Sequence, residues 1–321
     1  MTTRRHFTAL LATLACSSTA FAQPDNPPLS FQVPFAPGGG SDIVARQMST
    51  RMGQVLQRPV VIENRAGANG AIGAAYVARS RADGNTILIG SVGTFVISPL
   101  LVKSTPFQTA RDFDLLTIAV RTPNVITVNA ALPVNSLAEL IAYMKKNEGK
   151  VSFASAGNGS TEHLSAVLMW KQAGANGIHV PYKGAGAAVA DLLAGHVDVL
   201  ISNVGILAPH IKSGKVKALA VTADARSPVL PAVPAVVESG HKELVVYSWQ
   251  GIVGPKGMPQ AASARLQESL LATLRDPDVK KNLEAAGFEV VGSSAGDFDK
   301  YLASETSRWK RVIDGAKITV E

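Results

Sequence analysis

The chain has few of the residues that thiol, metal and nucleic-acid chemistry require. It has one cysteine in 321 residues, Cys16, and that residue lies in an N-terminal stretch that reads as an export signal. Removal of that stretch leaves a mature chain with no cysteine, which excludes disulfides, thiol nucleophiles and thiolate metal sites. Charged residues make up 17% and aromatics 6%, and the net charge of +7 is spread without a dense basic run. We therefore expect no nucleic-acid partner.

Familiar catalytic motifs are also missing from the sequence. There is no Gly-x-Ser-x-Gly nucleophile elbow, no His-Glu-x-x-His pair and no phosphate loop that ends in Gly-Lys-Ser/Thr. The histidines at positions 163, 179, 196, 210 and 241 lack close metal-ligand spacing. We expect no metal, no cofactor and no enzymatic activity, although folding could still assemble a hydrolase from distant residues.

The first 22 residues have the order of an export signal. Arg4 and Arg5 precede a short apolar run, and the small residues Ala20 and Ala22 follow with the spacing of a cleavage site. The sequence therefore predicts a signal peptide at residues 1–22 and an exported mature protein. The paired arginines fit a twin-arginine signal and an ordinary secretory signal equally well.

Beyond residue 22, apolar runs alternate with helical patterns, which indicates an α/β fold. The pattern predicts helices over residues 71–78 and 259–286, a small-residue loop at 91–94, and a helix cap at Ser136 with Glu139 three residues later. The pattern restarts near residue 125, and the run at 244–253 can return the chain to its first half. We predict two lobes, with residues 23–124 plus 250–321 in the first and 125–249 in the second. Two crossing strands would join the lobes as a hinge.

Two glycine-rich segments each connect a predicted strand to a predicted helix. They are residues 37–42 (PGGGSD) and residues 155–161 (SAGNGST). A helix start leaves N–H groups unpaired and carries about half a positive charge, so each segment is a seat for an anion. Their separation in sequence, one in each predicted lobe, suggests that they face a single ligand.

The chain resembles the periplasmic solute receptors of tripartite tricarboxylate transporters, often called the Bug family. The resemblance extends over nearly all of the mature chain and includes residues 33–42 (VPFAPGGGSD), 61–67 (VIENRAG), 82–86 (ADGNT), 155–160 (SAGNGS), 180–184 (VPYKG) and 191–195 (DLLAG). It implies a type II periplasmic-binding fold that closes on a small carboxylate and delivers it to membrane subunits.

The resemblance also implies a set of ligand-binding residues. In the first lobe these are Phe35, Pro37, Gly38, Gly39, Ser41, Asp42, Ser91 and Thr94, and in the second lobe Ser155, Gly157, Asn158, Gly159, Ser160, Thr161, Lys183, Gly184 and Asn203. Asp42 has two roles open, a cap of the helix start or a ligand contact. His163 is interpreted as a packing residue, and Phe95 and Trp249 as packing at the lobes and hinge.

The sequence favours a monomeric transport receptor for a mono- or dicarboxylate. A sensory protein that signals to a membrane kinase would use the same cleft, and a secreted enzyme acting on carboxylates is the third hypothesis. The identity of the ligand stays open, with Phe35 favouring an apolar body between polar ends.

Overall fold

The computed structural model describes residues 27–102, 104–182, 184–316 and 318. The predicted signal peptide and Lys183 lie outside the described residues. The strands are β1 (Leu29–Val33), β2 (Val60–Asn64), β3 (Thr86–Ser91), β4 (Phe113–Asn129), β5 (Ser152–Ser155), β6 (Ile178–Pro181), β7 (Val199–Asn203), β8 (Val216–Val221), β9 (Tyr247–Pro255) and β10 (Glu289–Val290).

Helices lie between the strands in the α/β order that the sequence predicts. They are α1 (Gly40–Leu56), α2 (Ala71–Ala78), α3 (Ser98–Leu101), α4 (Thr109–Asp112), α5 (Leu137–Lys146), α6 (Thr161–Ala173), α7 (Ala185–Ala194), α8 (Val204–Lys212), α9 (Gln260–Arg275), α10 (Pro277–Ala285) and α11 (Ala295–Ala316). Single helical turns add Ala68–Gly70, Gly93–Ile97, Val236–Ser239 and Lys242–Leu244. Within the described part of the chain, no helix combines the length and apolar character needed to cross a bilayer.

The strands form two sheet regions that share one strand. In the first region β2, β1 and β3 run parallel, and β9 joins β3 in the antiparallel sense. In the second region β6, β5 and β7 run parallel. Because parallel strands need crossover connections, their carboxyl ends gather at one edge of each region, where loops can form a binding site.

Strand β4 belongs to both sheet regions. Its residues 113–123 pair with β9, whereas the residues from Asn124 onward pair with β7 and β8. Apolar side chains such as Leu116, Val120 and Val128 are fully buried along its length. The predicted two-lobed α/β fold with two crossing strands, β4 and β9, is confirmed. The residues at which the chain is divided between lobes stay a prediction.

Local sequence explains how the helices that flank the site begin and end. Helix α1 buries Val44, Met48 and Met52, which lie four residues apart on one face, and it ends where Gln57 adopts a left-handed conformation. Helix α5 begins at Ser136, whose hydroxyl accepts a hydrogen bond from the Glu139 N–H at 3.1 Å. The predicted cap at Ser136 is therefore present.

The structure corrects the predicted elements in three places. The single helix expected over residues 259–286 is two helices, because Asp276 caps a new helix start and Pro277 occupies its first position. The loop expected at residues 91–94 runs into a π-helical turn, Gly93–Ile97, whose side chains are buried. Helix α8 was not predicted, since Pro209 interrupts its pattern.

Candidate ligand-binding cleft

Asp42 holds the first glycine loop in place. Its Oδ2 accepts hydrogen bonds from the Gly38 N–H at 2.9 Å and from Arg46 Nε at 2.8 Å, and its Oδ1 accepts one from Asn64 Nδ2 at 2.9 Å. The hydrogen bond from Arg46 is the main reason that the pKa of Asp42 falls to about 2. Asp42 is thus an ionised, buried carboxylate that fixes the loop after β1.

The start of helix α1 leaves backbone donors without a capping side chain. Its cap residue is Gly39, which has no side chain to accept from the first turn. Ser41, in the first turn, is buried and donates through Oγ to Gln250 Oε1 at 2.7 Å. The predicted anion seat of the first lobe therefore has open N–H groups and one hydroxyl that is tied to β9.

The loops after β2 and β3 converge on the first glycine loop. Thr94 Oγ1 donates to the Asn69 carbonyl at 3.4 Å and lies 3.5 Å from Ser91 Oγ. A Cβ atom placed on Gly70 would lie 2.5 Å from Thr94 Oγ1 and 3.3 Å from Phe35 Cζ. The predicted residues Phe35, Ser91 and Thr94 are thus brought together around the turn that contains Asn69 and Gly70.

Sequence reasoning missed Asn69, although a signal was present. The segment of residues 67–70 (GANG) follows β2 directly, as the other site loops follow β1 and β3. Asn69 adopts a left-handed conformation with φ of 51°, which asparagine tolerates better than most residues. Glycine and asparagine just after a strand, at the sheet edge where the loops after β1 and β3 also lie, were therefore the sequence signal for this turn.

The second glycine loop is held by its own hydrogen bonds. The Gly157 N–H donates to Ser155 Oγ at 3.2 Å, and the Gly159 N–H donates to His163 Nδ1 at 3.1 Å. Ser160 caps α6 by accepting a hydrogen bond from the His163 N–H at 3.2 Å. This cap does not use the N–H groups of Thr161 and Glu162, the first two of the helix. Like the first loop, this loop leads from a strand into a helix start, but here the helix start has a side-chain cap, Ser160.

The second loop touches the first lobe. A Cβ atom on Gly159 would lie 2.7 Å from Leu101 Cδ1 and 3.6 Å from Ile97 Cγ2. Leu101 ends α3 and Ile97 ends the turn after β3, so both follow the loop that carries Ser91 and Thr94. The predicted residues of the two lobes therefore approach one another across this contact.

Strand β9 forms a polar floor that links both lobes. From the first lobe Ser41 bonds Gln250, and from the second lobe Asn203 Nδ2 donates to Ser248 Oγ at 3.1 Å and to Asn124 Oδ1 at 2.7 Å. Ser248 and Gln250 are two residues apart on the strand, so they face the same side. Polar residues at alternate positions of an apolar strand were the sequence signal for this floor, and it was missed.

The remaining predicted residues lie in or beside the two glycine loops. Gly184 donates its N–H to the Ala156 carbonyl at 3.2 Å, which attaches the loop after β6 to the glycine loop. Asn158 is exposed at the loop tip, while Pro37 and Gly38 are exposed in the first loop. Lys183 lies outside the described residues.

Two features of the second lobe bear on chemistry. Glu162 is buried beside Ser202, whose Oγ lies 3.5 Å from Oε1, and burial raises the pKa of this carboxyl. Ser155 Oγ lies 2.7 Å from His179 Nε2, and Ser155 is fully buried in this structure. Among the described residues, no group of three or more His, Cys, Asp or Glu side chains is arranged to hold a metal.

A comparison with known families identifies the family of this chain. The sequence model described as "Tripartite tricarboxylate transporter family receptor" matches residues 44–318. The chain belongs to this receptor family. Among curated relatives, the receptor is 36% identical over 314 residues to the "UPF0065 protein in tcbD-tcbE intergenic region" of Pseudomonas sp. (strain P51), which covers 97% of this chain and 93% of the relative. It is 35% identical to "Protein BugT" of Bordetella pertussis, with 91% and 90% covered.

Solved structures similar to this receptor include proteins with bound dicarboxylates. The structure titled "R. palustris Rpa4515 with adipate" matches with a TM-score of 0.83 and 32% identity, covering 92% of this chain and 99% of the other. The structure of MatC from Rhodopseudomonas palustris with bound malate matches with a TM-score of 0.79 and 30% identity, covering 89% and 99%. The family is thus one of solute-binding receptors, and two similar structures hold carboxylates.

Proposed function

We propose that this receptor captures a small carboxylate between its two lobes and delivers it to the membrane subunits of a tripartite tricarboxylate transporter. The observation that carries the proposal is the pair of glycine loops, each leading into a helix start. The first is joined to β9 through Ser41 and Gln250, and the second lies against Leu101 and Ile97, which follow the loop after β3. Helix starts attract carboxylate oxygens without a basic side chain. The adipate and malate in two similar structures support the same ligand class.

The ligand contacts that we propose come mainly from the backbone N–H groups at the two helix starts and from hydroxyls. The N–H groups of Gly38, Gly157, Gly159 and Gly184 already donate within the protein, so these glycines contribute by letting the backbone approach the ligand closely. The proposed residues are Phe35, Pro37, Gly38, Gly39, Ser41, Ser91, Thr94, Ser155, Gly157, Asn158, Gly159, Ser160, Thr161, Lys183, Gly184 and Asn203. Asp42 supports them by holding the first loop, since its carboxylate oxygens are already bonded to the protein. Bridging waters would complete the contacts, because they bind nearly as well as direct ones.

Binding is proposed to close the lobes about β4 and β9. A ligand favours the closed form by the interactions that it gains only there. The contact of Gly159 with Leu101 and Ile97 lies where such closure would bring the loops together. We further propose that residues 1–22 direct export to the periplasm and that the receptor acts there as a monomer.

The proposal is tested by thermal unfolding of the mature protein with adipate, malate, an aromatic carboxylate, an amino acid and the neutral amide adipamide. A carboxylate at one hundred times its Kd should add about 2.7 kcal/mol to the free energy of unfolding, whereas adipamide should add none. If no carboxylate raises the melting temperature, the proposal is wrong. If mass spectrometry shows that a stabilising carboxylate is converted, the secreted-enzyme hypothesis replaces it.

Gly39→Val should weaken carboxylate binding at least tenfold while the fold is retained. A Cβ at Gly39 would lie 3.5 Å from the Ala36 carbonyl, an ordinary contact, so the fold should tolerate the side chain. Because Gly39 directly precedes α1, the valine adds bulk at the helix start where we propose that the carboxylate binds. Calorimetric titration with the carboxylate that gives the largest thermal shift measures the effect.

Gly296→Val is the matched control for this substitution. A Cβ at Gly296 would meet only Ser294 Oγ at 4.0 Å, in the first turn of α11. The control should bind like the natural protein. Equal affinity of both variants and the natural protein would remove the first glycine loop from the site.

A further inference from the structure

We propose that His163 and His179 are positioning residues that hold the second glycine loop in its binding conformation and release it on acidification. Sequence reasoning had interpreted His163 as a packing residue, and nothing in the similarity to known receptors assigns a role to either histidine. The consequence for ligand affinity rests on the proposed function. The loop conformation itself can be tested without a ligand.

The two imidazole rings lie directly behind the loop. Their centroids are 3.9 Å apart and their planes differ by 2°, so they stack face to face. His163 Nδ1 accepts from the Gly159 N–H at 3.1 Å, and His179 Nε2 is 2.7 Å from Ser155 Oγ. Ser155 begins the glycine segment and Gly159 lies two residues before its end, so the stacked pair holds the segment at two separate points.

The hydrogen bond to Gly159 defines the protonation state of His163. An acceptor Nδ1 requires the neutral ring with its proton on Nε2. Protonation at Nδ1 would place an N–H against the Gly159 N–H, and the bond would be lost. The bond between His179 and Ser155 survives protonation, because Nε2 then donates to the hydroxyl. Acid therefore acts on the loop through His163.

The surroundings of the pair favour the neutral rings. His163 is 7% exposed, and the His179 ring stacks on Phe153 at 5.0 Å between centroids. Burial lowers the pKa of His163 to about 4, with a smaller contribution from His179, and burial also lowers the pKa of His179. A second positive charge 3.9 Å away would add repulsion to the lost hydrogen bond.

Few charged groups surround the pair among the described residues. On α6, Glu162 precedes His163, and Lys171 lines a cavity of about 500 Å³ that both histidines border. The last turn of α11 closes this cavity, and its Asp314 is paired with Lys310. Strand β5 contributes Phe153 and Ser155, and β7 contributes Ser202, none of which ionises here. No carboxylate in this set contacts the rings to stabilise an imidazolium.

The test is hydrogen exchange of the mature protein without ligand at pH 7, 5.5 and 4, followed by mass spectrometry. Protection is corrected for the intrinsic exchange rate at each pH. In the natural protein, protection of the peptide that covers residues 155–160 should fall about tenfold between pH 7 and 4, the change expected for one lost hydrogen bond. Protection of residues 29–56, in the first lobe, should stay constant.

His163→Asn separates positioning from packing. The asparagine Oδ1 can occupy the place of Nδ1 and accept from Gly159, but it does not titrate. This variant should keep the loop protected at pH 7 and at pH 4 alike. His163→Leu, which fills the space without an acceptor, should lose loop protection at every pH.

His196→Asn is the control, because this histidine is exposed and lies far from the loop in sequence. It should retain the pH dependence of the natural protein. Constant loop protection in the natural protein from pH 7 to 4, or an unchanged pH dependence in His163→Asn, would overturn the proposal. A general loss of protection that includes residues 29–56 would do so as well. None of these outcomes depends on whether a carboxylate binds.

Discussion

Asp42 is a charged residue at a predicted anion-binding site, and it accepts hydrogen bonds from the protein itself. Its three hydrogen bonds come from Gly38, Arg46 and Asn64. An ionised carboxylate beside a ligand carboxylate would repel it, but here the Arg46 guanidinium compensates the charge. The backbone donors of α1 can then face the cleft.

Asp42→Asn should destabilise the protein by about 2 kcal/mol, since it removes charge-assisted hydrogen bonds to a buried group. Because the pKa of Asp42 is lowered to about 2 from 3.8, its contribution is complete above pH 4 and is lost as the pH falls toward 2. Urea unfolding at pH 7 and at several values between 4 and 2 measures both effects.

The exposed Asp299 provides the comparison for that measurement. Asp299→Asn should leave the free energy of unfolding within about 0.5 kcal/mol of the natural value. If Asp42→Asn behaves like this control, Asp42 does not hold the loop.

Only part of this residue-level arrangement could be predicted from the sequence. Arg46 lies four residues after Asp42 on a helix, so that ion pair is expected from spacing. Asn64 and Gln250 reach the loop from 22 and 209 residues away, and no local pattern encodes such contacts. For the same reason, the alternation of Ser248 and Gln250 could mark the polar face of β9, but not the contacts of Ser248 with Asn124 and Asn203.

At the scale of elements, the second glycine loop needs a glycine at position 159 because Leu101 leaves no room for a side chain there, whereas Gly38 and Gly39 in the first loop have room for one. Gly159 has a left-handed φ of 73° and faces Leu101 of the other lobe. Gly174, at the end of α6, has a similar φ of 62°, yet a Cβ there would meet nothing within 4 Å. The two glycines therefore share the backbone requirement and differ in the contact between lobes.

Gly159→Ala should weaken carboxylate binding about tenfold, because the methyl group would meet Leu101 and oppose closure as well as strain the loop. Gly174→Ala carries the backbone strain alone, so it should lower the melting temperature without changing affinity. Calorimetric titration and thermal unfolding of both variants separate the two effects. Equal affinities would show that the Leu101 contact plays no part in binding.

Element order was predictable, whereas element ends depended on tertiary contacts. Helix α2 was predicted with the bounds observed, because its apolar residues lie between clear turn signals. Strand β4 was recognised only from Val125, since its first half carries Thr117, Arg121 and Pro123 within a buried stretch. Pairing with β9 overrides the weak local preference there.

At the scale of the whole molecule, the hinge is covered by a buried aromatic and carboxyl cluster. Glu305 on α11 accepts hydrogen bonds from Trp249 Nε1 at 3.2 Å and Trp309 Nε1 at 3.1 Å. Trp249 is fully buried on β9 and stacks on Phe95, with ring centroids 6.3 Å apart. Helix α11 is thereby attached to a crossing strand on the side opposite Ser248 and Gln250.

Glu305→Leu should cost about 3 kcal/mol of stability, because two buried indole N–H groups would lose their acceptor. Glu305→Gln keeps an acceptor oxygen of the same reach and should cost less than half as much. Guanidinium unfolding of both variants gives the comparison, and equal losses would assign the effect to packing and not to the hydrogen bonds.

Strand β4 has one further consequence for the receptor. A single continuous strand of 17 residues, β4, contributes pairing to both sheet regions. Neither half of the protein can therefore form its complete sheet without part of β4. An excised half would either lack a central strand or carry an unpaired extension of it. The halves should therefore melt together in a calorimeter, and insertions that lengthen either half are best tolerated away from this shared strand.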